Sequence, residues 1–175
     1  MFRYNPAANA VPVEPSLETL EEDHAIQLVL CRDLEALADG LPGLPGLPGI
    51  RRLCDRIICV VDTHFDRAEQ ALAALPPAVR PGEEELERLR EMHLMDSLHG
   101  HDLVVALWQH AAHQGHCGTG RAAAARPGVG QLGYMLRCFF DGCRRAMALK
   151  ESWRAAARRA GVGLAVAAPA SIRTD

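Results

Sequence analysis

Apolar positions recur every three or four residues along four stretches of this chain, the spacing that lines up side chains on one face of an α-helix. Leu17, Leu20, His24, Leu28, Cys31, Leu34 and Ala38 form the first stripe. It predicts a helix over residues 17–41, with Ser16 placed to cap it and Glu18, Glu21 and Glu22 near its positive end. Ile50, Leu53, Ile57, Val61, His64, Ala68, Ala71 and Leu75 predict a second helix over 50–75, which Pro76 and Pro77 stop. The third opens at Pro81-Gly82 on the acidic run Glu83 to Glu85, and carries Leu86, Leu89, His93, Ser97 or Asp96, Gly100, Val104 and Leu107 inward. The fourth covers 131–160, with Leu132, Met135, Phe139, Cys143, Ala146, Leu149, Lys150 and Trp153 on its stripe. No alternating strand pattern competes. The predicted fold is all-α, an up-down-up-down antiparallel four-helix bundle over residues 16–160. An extended lead-in over 1–15, with Pro6, Pro12 and Pro15, precedes it, and a disordered tail over 161–175 follows.

The breaks between stripes differ in kind. Gly40 to Gly49 reads Gly-Leu-Pro-Gly-Leu-Pro-Gly-Leu-Pro-Gly. Three triplets are too few for a collagen helix, and the prolines and glycines predict a low-complexity loop joining two helices. The stretch from His113 to Gly130 is rich in glycine, alanine and arginine and is expected to be a long loop. At its start His110, His113, His116 and Cys117 gather soft and borderline ligands, which form either a zinc or copper cluster or a solvated polar segment. His99 and His101 flank the third stripe and are expected to face solvent.

Composition narrows the function classes. A chain of 175 residues forms one domain with a sizeable core. A net charge of -3 leaves no electrostatic footprint for nucleic acid. No apolar run reaches the roughly 20 residues needed to cross a bilayer, so no membrane partner is expected. Six cysteines form no CxxC pair, and most fall at helical positions beside apolar neighbours, where a thiol behaves as a small hydrophobe. With no apolar signal core at the start, the expected compartment is the reducing cytoplasm. Neither a phosphate-binding glycine loop, a nucleophile elbow nor a pair of catalytic carboxylates stands out, so the chain reads as a non-enzymatic protein.

The distinctive chemistry lies in three histidines, His24, His64 and His93, each on the apolar stripe of a different helix. His24 lies sixteen residues before Gly40 and His64 fifteen after Gly49, while His64 lies twelve before Pro76 and His93 eleven after Gly82. At about 1.5 Å per residue these imidazoles fall within one helical turn of a common level. Buried separately, each would need its own partner; buried together, they make a shared polar or metal-binding layer.

Those segments, Glu22 to Gln27, Thr63-His64-Phe65, Leu89 to Asp96, and Leu132 to Phe140 through Arg144-Arg145, resemble hemerythrin-type cation-binding bundles, the bacterial single-domain members in particular. The similarity spans roughly residues 17–153 in the right order. It implies a four-helix bundle around a carboxylate-bridged non-haem di-iron centre, used for oxygen or small-molecule sensing or iron handling, with a small diatomic molecule as ligand. His24, His64 and His93 match the family's histidines. The partner positions do not match: Ala68 stands where the second helix would give a glutamate, Ser97 where the third gives a ligand, and Ala146 and Lys150 where the fourth gives a histidine and an acidic residue. Glu69 is adjacent, but five residues turn it about 140° away from His64. Without bridging carboxylates a di-iron pair is not expected. The resemblance leaves two outcomes open: one non-haem iron or other divalent ion held by the three histidines with water completing the shell, or a structural or interaction bundle that has lost its metal. Asp96 or Glu151 would supply an oxygen ligand if the register shifts by one. Lys150 either snorkels to the surface, as lysines usually do, or stands inside as a substitute cation.

Overall fold

The structure, a computed structural model, describes residues 16–114 and 128–161. The expected lead-in over 1–15, the tail beyond Gly161, and His116 and Cys117 lie outside the described residues. Within them all regular structure is helical: α1 (Leu17–Asp39), α2 (Leu47–Cys59), a π-turn (Val60–His64), α3 (Phe65–Ala73), α4 (Glu83–Gln114) and α5 (Val129–Arg159). As α2, the π-turn and α3 follow one another without a break, the described residues form four helical rods.

Local chemistry accounts for the boundaries. The Ser16 hydroxyl accepts the Thr19 N–H at 3.1 Å, satisfying one of the unpaired donors at the start of α1. The second rod begins at Leu47, inside the triplet run expected to be all loop. Pro48 falls in its first turn, where a proline forfeits no intrahelical hydrogen bond and its fixed φ suits the helix. The third helix runs to Gln114, so His110 belongs to α4 and not to a loop. Leu107, His110 and Ala111 are buried and carry the inward stripe onward.

α1 packs on α5 and on the second rod, and α4 packs on α5 and on the second rod. Cross-helix contacts fix the registers. Asp33 pairs with Arg56 and Asp23 with Arg67 between α1 and the second rod. Asp39 pairs with Arg137, Glu35 with Arg144 and Glu21 with Arg158 between α1 and α5. Glu69 pairs with His93 and Asp62 with His101 between the second rod and α4. α4 approaches its neighbours closely at Gly100, where a methyl group would come within 2.8 Å of Val61 and 2.9 Å of Phe139. At Gly142 on α5 a methyl group would overlap the Asp96 carboxylate.

The core is in two parts. Leu34, Ile50, Ile57, Leu103, Leu107, Leu136 and Phe139 belong to one apolar cluster, and Leu20, Leu72, Leu86, Leu89 and Trp153 to the other. Each fully buried Leu or Phe stabilises the fold by about 1.5–3 kcal/mol. Asp23 and Gln27 on α1, and His93 and Asp96 on α4, lie between the segments that build the two clusters. With His64 and Lys150 they form a buried polar layer, none of the six more than 4% exposed. Such burial is unfavourable unless the groups bond to one another, so the contacts within the layer decide what it can do.

Candidate functional site

α1 buries Leu20, Cys31, Leu34 and Ala38 as expected, but between Leu20 and Cys31 the inward positions fall one residue earlier than the expected stripe. Asp23 and Gln27 point inward, while His24 is half-buried and Leu28 exposed. Successive helical residues are about 100° apart, so this single-residue rotation takes His24 from the middle of the layer to its edge. Asp23 has the partners that make its burial tolerable: His64 and Arg67 both bond its carboxylate, with Arg67 Nε at 3.0 Å from Oδ2. Burial works to raise the Asp23 pKa, but those two donors hold it below the ordinary carboxylate value. The shielded Nδ1 of His24 finds no hydrogen-bond partner. Burial and the neighbouring Arg154 hold its pKa below the ordinary histidine value.

His64 is buried as the second stripe requires, yet both its nitrogens are committed. Nδ1 faces Asp23, and Nε2 lies 3.3 Å from the Cys59 sulfur. With Nδ1–H donating to the carboxylate, Nε2 is left to accept from the thiol. The π-turn makes this contact. The Phe65 N–H bonds the Val60 carbonyl five residues back, which brings positions five apart onto one side of the rod. No glycine or proline marks it in the sequence.

His93 stacks on Phe65, ring centroids 4.2 Å apart and planes within 2°. Its Nδ1–H donates to Glu69 at 2.7 Å. Glu69 is thus turned from His64 as expected, but turned toward α4, where it orients the other core histidine. Burial holds His93 below its ordinary pKa against the pull of Glu69. Its Nε2 is buried with no partner.

Lys150 occupies the interior at 4% exposure, the second of the two placements that its sequence position left open. The Lys150 Nζ donates a long hydrogen bond of 3.5 Å to Gln27 and lies 5.8 Å from the centre of the Phe65 ring. Burial pushes its pKa down to about 8, while Cys143, Asp23 and Asp96 favour its charged form. Asp96, not Ser97, takes the inner position on α4, and burial raises its pKa to about 6. Its Oδ2 is unpartnered. Glu151 does not enter the layer; it bonds Arg154 at 2.7 Å and pairs with Arg158. His99 and His101 are exposed, as expected. His110 is buried away from this layer, its Nδ1–H bonded to the Ala106 carbonyl.

The donor set can be tested against the metal that the resemblance implies. Among the described residues no group of three or more His, Cys, Asp or Glu side chains is gathered as around a metal ion. The His64 nitrogens are engaged by Asp23 and Cys59, and Asp23 is tied to Arg67. At this site the unpartnered imidazole nitrogens of His24 and His93 stand in the field of Lys150, whose charge adds to burial in lowering the pKa of both rings. The buried carboxylates do not join two histidines: Asp23 bonds His64 and Arg67, and Asp96 Oδ2 is unpartnered. These residues do not fit a di-iron pair, and a divalent ion there would meet a resident cation.

Spacing alone placed His64, His93 and Lys150 correctly but passed over Asp23, Gln27 and Cys59. The available signal for the first two was an alternative stripe, Leu20-Asp23-Gln27-Leu30-Leu34, with the same three-and-four spacing. For comparison with known proteins, no family model, curated protein or solved structure matches the chain.

Proposed function

We propose that this protein is a hemerythrin-like bundle, its helices up-down-up-down and antiparallel, whose buried ammonium serves in place of a metal. On this reading it is a non-enzymatic structural or interaction bundle. The helix order is supported by the contact registers: residue numbers rise on one rod as they fall on its partner in every pair from Glu21–Arg158 to Asp62–His101. The observation that carries the functional reading is Lys150, which stands inside the layer at the position where the family has an acidic ligand. A cation at about 5 Å repels a divalent ion by several kcal/mol at an effective dielectric of 20, and it removes the negative ligand as well. Oxygen or another diatomic molecule then has no metal to bind.

The layer is also built to stand without metal. Asp23, His64 and Arg67 bond one another, and Glu69 accepts from His93 Nδ1–H. Lys150→Glu tests the reading by calorimetric titration with zinc and with ferrous iron. The wild type is expected to bind neither at the layer, and the variant to gain one site that uses the introduced carboxylate with the free nitrogens of His24 and His93. Equal binding by both proteins would show that Lys150 does not occupy the metal's place.

A further inference from the structure

Cys59, His64, Asp23 and Arg67 form a line of contacts that runs from the surface to the polar layer, and only the cysteine is exposed. The Cys59 thiol lies 3.3 Å from His64 Nε2, the opposite ring nitrogen bonds Asp23, and Arg67 clamps that carboxylate with two nitrogens. A sulfur nucleophile, a base within reach, and a third group that fixes the base's tautomer and orientation are the parts of an activated thiol. Here they come from two helices. In a regular α-helix Cys59 and His64, five residues apart, would diverge by about 140°. The π-turn over Val60–His64 is what brings them together, and such turns are frequent at functional sites.

We propose that Cys59 is a reactive thiol, activated by His64 and Asp23, that exchanges with low-molecular-weight disulfides. His64 Nε2 accepts the thiol proton as the Cys59 sulfur attacks one sulfur of the disulfide. A bond forms between these two sulfurs, the original S–S bond breaks, and the departing thiolate takes the proton back from the imidazolium. The balance is one protein thiol and one disulfide giving one mixed disulfide and one free thiol, with no further oxidant. Exchange suits the site better than acyl transfer, because it requires a thiolate and a proton acceptor but no oxyanion donors. Partial burial raises the Cys59 pKa against the pull of Arg67, so free thiolate is scarce and the rate depends on His64.

The test is reaction with 5,5′-dithiobis(2-nitrobenzoate), followed by release of the coloured thiolate, in full-length protein carrying Cys117→Ser and Cys138→Ser. This leaves Cys59 as the exposed thiol; Cys31, Cys54 and Cys143 are buried. His64→Gln is expected to slow Cys59 by about 100-fold, the usual scale of general-base assistance, and Asp23→Asn by a smaller factor. Labelling of Cys54 or Cys143, read by peptide mass, reports loss of fold; if His64→Gln shows it, Asp23→Asn decides. A rate at Cys59 unchanged in the folded variant, or a parent protein that reacts no faster than a short unstructured peptide thiol at the same pH, overturns the proposal.

Discussion

Replacing Lys150 by methionine removes the buried ammonium while keeping most of the side-chain volume. Burial moves Lys150 from its ordinary pKa of 10.5 to about 8. At about 1.4 kcal/mol per pH unit, that displacement corresponds to roughly 3 kcal/mol against holding the charged form in the folded chain. The long hydrogen bond to Gln27 offsets about 1 kcal/mol of this and is lost in the variant. Lys150→Met is therefore expected to stabilise the fold by roughly 2 kcal/mol at pH 7. The sign of the pH dependence follows from the direction of the shift. With the folded pKa below the unfolded one, the unfolded chain binds more protons between about pH 8 and 10.5, and the wild type gains stability as pH rises through that window. The methionine variant lacks this contribution, so the difference between the two proteins narrows with rising pH. Urea unfolding followed by circular dichroism, run on both proteins at neutral pH and near pH 10, measures it. A variant less stable than the wild type at pH 7, or a difference that does not change with pH, would refute the argument that Lys150 is a desolvated cation.

Three other perturbations probe separate contacts. Asp23→Asn leaves His64 and Arg67 without their carboxylate and is expected to destabilise the fold by about 3 kcal/mol in urea unfolding, the scale for breaking a buried pair. Gly142→Ala pushes a methyl group into the Asp96 carboxylate and should cost about 1–3 kcal/mol, most of it recovered when Asp96→Ala is added, a coupling read from a double-mutant cycle. Asp96, raised to about 6 in the folded chain from an ordinary 3.8, contributes stability that is fully present below about pH 3.8 and is lost as pH rises through about 6; Asp96→Asn should flatten that part of the pH profile of unfolding.

The parts of the fold that could be read from sequence were those fixed by hydrophobic spacing and by caps. The second stripe, from Ile50 through Leu75, is buried at every position expected, and Ser16 caps α1 through its side chain. What spacing could not fix was rotation within one residue. Ile26, Leu28 and Val29 are apolar yet exposed, so the apolar pattern on α1 did not distinguish a face centred on His24 from one that includes Asp23. The deciding interaction, Asp23 with His64 and Arg67, comes from another rod and has no local signature. The π-turn was illegible for a similar reason: its extra residue leaves Val61 and His64 buried, and no proline or glycine announces it. Lys150 shows a different failure. Its spacing put it on the inward stripe, and only the general preference of lysine for solvent argued otherwise. The stripe was the better guide.

Whether a lysine cation holds the place of a metal in this layer is decided by elemental analysis of tag-free protein, reconstituted anaerobically with ferrous iron, dialysed, and examined by absorption spectroscopy after exposure to air. Far less than one equivalent of iron per chain is expected, with none of the near-ultraviolet bands of an oxo-bridged pair. Retention of one equivalent lost on His93→Ala, or of two with those bands, would show that the lysine does not.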